Sequence, residues 1–168
     1  MVISQENRGL TEAVMSVGEL IVLGPGEGKT VSVLGDRITY KAVGRDTGGR
    51  YGLVEVTAPA GAPGPPPHVH EREEEALYVV EGELKVQIGE RTLQARAGTF
   101  ALVPRGTVHT FSNPTPRPAR ALVIVSPAGF EKAFEEMADI APWADEPPDM
   151  DKLLAIAKKY HLKIVGAP

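Results

Sequence analysis

The chain contains no cysteine. Disulfides and thiolate metal sites are thereby excluded, and histidine and carboxylate groups remain as the strong ligands available to a metal. Nor does any apolar run approach the ~20 residues that a membrane-crossing helix needs. The first eight residues lack the basic-then-apolar order of a secretory leader. A cytoplasmic location and no membrane partner are the expectations. A strong charge bias is missing as well: the formal net charge is −4, which does not suit a nucleic-acid partner, and 42% hydrophobic residues do not suit a disordered polyelectrolyte.

What is present is punctuation. Eighteen glycines and 15 prolines are scattered between short apolar runs in 168 residues, a pattern of many tight turns rather than of a flexible linker. The length fits one compact domain with terminal additions. Short runs with β character fall at 30–34, 38–42, 51–57, 76–80, 84–88, 99–103 and 120–125, a spacing that predicts a sandwich or barrel. Leu84, Val86 and Ile88 alternate with Lys85 and Gln87, as in a strand with one buried face. After Pro127 the period changes. Phe130, Phe134, Met137 and Ile140 recur at helical spacing, and Leu153, Ile156, Ala157 and Tyr160 do so again after Pro147 and Pro148. Asp149 is the expected N-cap of the second helix, and Lys158, Lys159 and His161 place positive charge in its last turn, which makes His161 a capping or surface residue.

The expected organisation is an N-terminal arm or strands at 1–35, a barrel at 36–127, and a helical extension at 128–168 packed on the barrel or on a dimer partner. Trp143 and Phe130 read as packing residues of that extension. Exposed edge strands and apolar terminal helices lead to the expectation of a homodimer.

Three of the four histidines fall in two short segments. His68 and His70 follow the run Pro65 to Pro67, and in an extended segment side chains at i and i+2 share one face. Glu73, Glu74 and Glu75 come next, and His109 follows the turn at Pro104 to Gly106. Any one of these histidines would by itself read as a surface residue. As a set, imidazoles and a carboxylate supply the N/O donors that suit Mn, Fe, Ni, Co or Zn. One decoy lies upstream. Gly24 to Thr30 ends like a phosphate-binding loop, but Leu23 stands where its first glycine belongs and a strand-like run follows instead of a helix, so nucleotide binding is not expected.

These segments resemble the two signature motifs of the cupin superfamily. His68-Val69-His70, four residues, Glu75, six residues and Gly82 match the first. Gly98, Pro104, Gly106, His109 and Asn113 match the second without a mismatch. One departure is Ala62 where the first motif usually opens with glycine, with Gly61 and Gly64 on either side. Residues 36–136 are also similar to single-domain cupins of the quercetinase-like kind. The resemblance implies an all-β cupin-type jelly-roll barrel, or double-stranded β-helix, with short C-terminal helices. It implies one divalent transition metal per chain (Mn, Ni, Fe, Co or Zn) held by His68, His70, Glu75 and His109. Spacing to Gly82 selects Glu75 among the three acids, leaving Glu73 and Glu74 as solvated turn residues.

If the quercetinase likeness extends to chemistry, the substrate is a flavonol or related enol. Glu75 is then both ligand and general base, dioxygen is the second substrate, and carbon monoxide is released. Leu77 and Val79, on the Glu75 face, are expected to form an apolar wall with Tyr51 or Phe111. A metal-dependent isomerase, another small-molecule oxygenase, and a non-catalytic metal- or ligand-binding module are the alternatives, because fold alone does not settle function.

Overall fold

A computed structural model describes residues 20–140 and 149–166. Trp143, Pro147, Pro148 and most of the expected N-terminal arm lie outside the described residues. Eleven strands and three helices are described. In chain order they are β1 (Thr30–Val33), β2 (Asp36–Ala42), α1 (Gly44–Thr47), β3 (Gly52–Ala58), β4 (His68–His70), β5 (Glu74–Glu81), β6 (Glu83–Ile88), β7 (Arg91–Arg96), β8 (Phe100–Val103), β9 (His109–Ser112), β10 (Ala119–Ser126), α2 (Glu131–Ala138), α3 (Met150–Lys159) and β11 (Leu162–Ile164).

The strands form two antiparallel sheets, a six-stranded one ordered β1-β2-β3-β10-β5-β8 and a five-stranded one ordered β11-β4-β9-β6-β7. Alternation drives this arrangement. Ile38 and Tyr40 on β2, Val54 and Val56 on β3, Leu77 and Val79 on β5, Leu84 and Val86 on β6, and Val123 and Val125 on β10 all turn inward and are buried together. The fold is the all-β jelly roll expected from the motifs. The expected strands are all present, and β4, β7, β9 and β11 add to them.

The helices match their sequence signals. Asp149 caps α3, its side chain accepting from the Lys152 amide at 3.2 Å, while Lys158 and Lys159 occupy the last turn. Phe130, Met137 and Leu153 are buried in the core they share with the barrel, and Ala157 is buried as well. Buried polar contacts fix α2. Tyr40 on β2 donates its hydroxyl to the Glu131 carbonyl at 3.0 Å, and the buried Glu131 carboxylate accepts from the amides of Gly44 and Gly129 at 2.8 and 2.6 Å. Beyond α3, β11 pairs with β4, setting Leu162 opposite His70 and Ile164 opposite His68.

The turn leading into β4 has its glycines at positive φ at 61 and 64, and Ala62 between them is buried. Gly64 is required by its surroundings, because a Cβ there would overlap the Phe111 carbonyl on β9. Asn113, directly after β9, is fully buried. It donates to the carbonyls of Ala58, Pro59 and Arg117 and accepts from the Thr115 amide and hydroxyl. It therefore ties its own loop, between β9 and β10, to the start of the connection between β3 and β4. Its hydrogen bonds account for the strand ending at Ser112.

Asn113→Ala strips partners from three backbone carbonyls, and a buried unsatisfied group costs about 1–3 kcal/mol. The expected loss of stability is about 3 kcal/mol by that reasoning, read as a lower urea midpoint with an unchanged slope. A midpoint equal to wild type would show that the two loops do not depend on it.

Candidate metal centre

Three short segments, none of which could form the site alone, bring the candidate ligands together. His68 and His70 project from one face of β4, and the ladder between β4 and β9 sets His109 directly opposite His68. Glu75 comes from the facing sheet, on β5 between Val125 of β10 and Val103 of β8. All four are buried, and one ligand atom from each can be chosen so that the four lie within 4.8 Å of one another. The ring centroids of His68 and His109 are 4.3 Å apart, and those of His70 and His109 are 5.4 Å apart.

Two imidazoles are oriented by backbone carbonyls. His68 Nδ1 is 2.8 Å from the Pro66 oxygen and His109 Nδ1 is 3.0 Å from the Thr107 oxygen. A carbonyl can only accept, so Nδ1 carries the proton in each ring and Nε2 offers its lone pair to the centre. The Nε2 atoms of His70 and His109 are buried without a hydrogen-bond partner, lying 3.3 and 3.6 Å from the same Glu75 oxygen. Buried polar atoms are normally satisfied. A converging N3O set with orphaned nitrogens is what a divalent first-row metal satisfies, and the residues fit such an ion.

Glu74 is exposed, as expected. The expectation for Glu73 is overturned: it is buried, 6% exposed, with a carboxylate oxygen 3.6 Å from His70 Nδ1. The short connection between β4 and β5 turns it under the imidazole instead of out to water. A carboxylate behind a ligating histidine orients the ring and raises its basicity. Its sequence signal was the i+3 spacing from His70.

Burial disfavours charge on all these groups, and their partners decide which way each moves. Burial, aided by His109, lowers His68 to about 4. Burial also presses on His70, but Glu73 and Glu75 outweigh it and raise it to about 9. Burial would raise Glu75, yet the imidazoles of His109 and His70 beside it hold its carboxyl well below the usual range.

Above the cluster lies a cavity of about 90 Å³ whose lining includes His68, His70 and Glu75. Its walls are Val33, Ile38, Val56, Phe111 and Val123 from the barrel, with Phe130, Phe134, Met137 and Leu153 from the two helices. The expected wall is therefore corrected in part. Phe111 belongs to it, but Leu77 and Val79 sit in the core away from the cavity, and Tyr51 is exposed at the start of β3. Phe130 does more than pack the helix, since its ring meets His70 edge-on at 4.3 Å and lines the cavity. Asp36, which no motif pointed to, lines it as well. The signal for Asp36 was a carboxylate in register with the inward-facing Ile38 and Tyr40.

His161 stands apart, at positive φ after α3 and 3.9 Å from Glu71, consistent with a surface residue. The decoy loop behaves as its spacing required. Gly24 to Glu27 forms a turn, β1 follows instead of a helix, and Lys29 pairs with Glu135 at 2.8 Å. Among the described residues no helix is long and apolar enough to cross a membrane.

In the metal-free protein the His70 imidazole keeps its proton to about pH 9 and His68 stays neutral down to about pH 4. A folded pKa above the unfolded value of about 6.5 means that the His70 contribution to stability is complete below that pH and is lost on rising through 9. Imidazole resonances followed by NMR test both midpoints. Glu73→Gln is expected to lower that of His70, and an unchanged midpoint would remove Glu73 from the site.

Comparison with known proteins finds a family model that matches part of the chain. Residues 54–125 match the family model described as the Cupin domain. Among solved structures the chain is similar to an RmlC-like cupin from Shewanella frigidimarina, at 20% identity over 69% of this chain and 98% of that one, with a TM-score of 0.58. It is similar to the polyketide cyclase RemF from Streptomyces resistomycificus, at 23% identity over 64% and 80%, TM-score 0.57. KdgF from Halomonas sp. follows, at 24% identity over 58% and 85%, TM-score 0.52. Such identities extend to the fold alone, and no curated protein matches the chain. The domain match runs from β3 to β10, and the two sheets form a jelly roll like that of these structural neighbours, so the fold is of the cupin type.

Proposed function

We propose that the chain is a metal-dependent enzyme acting on a small, largely apolar enol, with quercetinase-type flavonol dioxygenation as the specific reaction. The observation that carries this reading is that the His/Glu cluster opens into an apolar cavity whose lining, among the described residues, contains no lysine or arginine. Among the described residues a sugar phosphate or other anion would find no lysine or arginine to hold it there, whereas a flat enol would find aliphatic and aromatic walls and one oxygen-seeking centre. A bound divalent ion would act as a Lewis acid toward the substrate oxygen. His68 and His109 are held for that ion by the carbonyls behind them, and Glu75 lies where it can take the hydroxyl proton. Dioxygen then adds to the electron-rich ring, both its atoms are retained, and carbon monoxide leaves. Phe130, Phe134 and Met137 keep bulk water from the reacting atoms.

The cavity sets a condition on this chemistry. At about 90 Å³ it is smaller than the ~150 Å³ cavity that takes a benzene ring. Any aromatic substrate enters by displacing α2 and α3, whose side chains form the roof.

Purified protein is expected to carry about one divalent ion per chain, and His68→Ala or His109→Ala to lose it on elemental analysis. Quercetin absorbance should fall in air only, with carbon monoxide appearing in step. Glu75→Gln should slow this by at least ~100-fold, the usual scale for a general base, and Glu74→Gln should leave it unchanged. If nickel-, manganese-, cobalt- and iron-loaded protein all leave quercetin untouched, the flavonol reading fails. Substrate hydrogen exchange without oxygen uptake would then favour an isomerase, and ligand binding without turnover a binding module.

Self-association also belongs to this reading. β8 is an edge strand of the six-stranded sheet, and Phe100 and Leu102 on it are 62% and 53% exposed beside Tyr78 and Ile124. Unpaired edges with apolar faces invite partners, and two copies of one antiparallel edge can pair about a two-fold axis. A homodimer is expected by light scattering, and Phe100→Lys is expected to dissociate it. A wild-type mass of 17.9 kDa at micromolar concentration would refute the dimer.

A further inference from the structure

β1 and β2 form a tight hairpin whose two turn residues, Leu34 and Gly35, both have positive φ. Asp36 follows at the first position of β2, in the inward register shared by Ile38 and Tyr40. It is 5% exposed, its Oδ1 is buried without a hydrogen-bond partner, and it lines the same cavity as His68, His70 and Glu75. An aspartate beside a turn ordinarily bonds the turn's own amides. Here Oδ1 bonds none of them, so a turn role does not account for it.

Building on the enol-binding reading above, we propose that Asp36 is the second polar contact for the cavity's ligand. It serves as a neutral carboxyl donating a hydrogen bond to a carbonyl or ether oxygen of an uncharged compound whose hydroxyl faces the histidine cluster. Among the described residues, Asp36 is the one polar side chain in the lining outside the histidine–glutamate cluster. The titratable groups sharing the cavity are His68 and His70 on β4 and Glu75 on β5, while α2, α3 and β11 contribute only Phe130, Phe134, Met137, Leu153, Leu162 and Ile164. Burial raises the Asp36 carboxyl from 3.8 to about 7, which keeps it largely protonated under mildly acidic conditions. The role parallels other buried carboxylic acids that are kept neutral in order to donate.

A group whose folded pKa is raised takes up a proton on folding, so stability falls as pH rises from about 4 to about 7. Asp36→Asn should therefore melt higher than wild type at pH 8, and the difference should close toward pH 4. Ligand contact is tested on zinc-loaded protein at pH 6 with two probes, phenol and 4-hydroxybenzaldehyde, which share a hydroxyl and differ in a distal carbonyl. The aldehyde's carbonyl stretch should move to lower frequency on binding wild type but not Asp36→Leu, which should bind the aldehyde about tenfold more weakly and phenol equally well. The proposal is overturned if both proteins bind the aldehyde equally, if neither probe binds wild type, or if Asp36→Asn gains no stability at pH 8. Elemental analysis of the histidine variants judges the metal reading separately.

Discussion

Three imidazoles and a carboxylate held together out of water are the constraint on which this molecule turns. Their ligand atoms converge within 4.8 Å, and two Nε2 atoms have no hydrogen-bond partner in the protein. Burial penalises charge on each, and the pair formed by His70 and Glu75 offsets part of that penalty by mutual attraction. Such a cluster persists only if the surrounding structure over-determines it. The two sheets do this by dividing the ligands, with three histidines on the five-stranded sheet and Glu75 on the six-stranded one, so that relative movement of the sheets would open the centre.

The supports are graded around β4, the three-residue strand that bears two of the ligands. One ladder pair joins it to β9, while β11, from the far end of the chain, pairs with all three of its residues. Phe130 closes on His70 from above and Glu73 stands behind it. Phe130 is itself placed by α2, which is tied down through Tyr40 and the carboxylate of Glu131. The C-terminal segment thus supports the centre and roofs its cavity at once. Such coupling makes passage of a substrate a matter of moving the same helices that hold His70 in place.

Much of this was legible in the chain. Motif spacing singled out His68, His70, Glu75 and His109, because a loop-and-strand unit of fixed length projects its ligands from fixed positions. Alternation located the longer strands, and Asp149 marked the start of α3, since both depend on neighbours within a few residues. What escaped depends on distant contacts. β4 and β11, three residues each, are too short to show a period and are defined by their partners. Glu73 reads as a polar turn residue until the connection is seen to fold it under His70. Leu77 and Val79 share a face with Glu75, yet alternation fixes only the face and not the depth along the barrel, so they lie in the core and not in the cavity wall. The sequence by itself determined the fold class, through local periodicity, and the candidate ligands, through motifs that resemble those of the cupins. Only the tertiary structure decided the apolar cavity, its helical roof and the burial of Asp36 and Glu73, because these arise where segments far apart in the chain exclude water together.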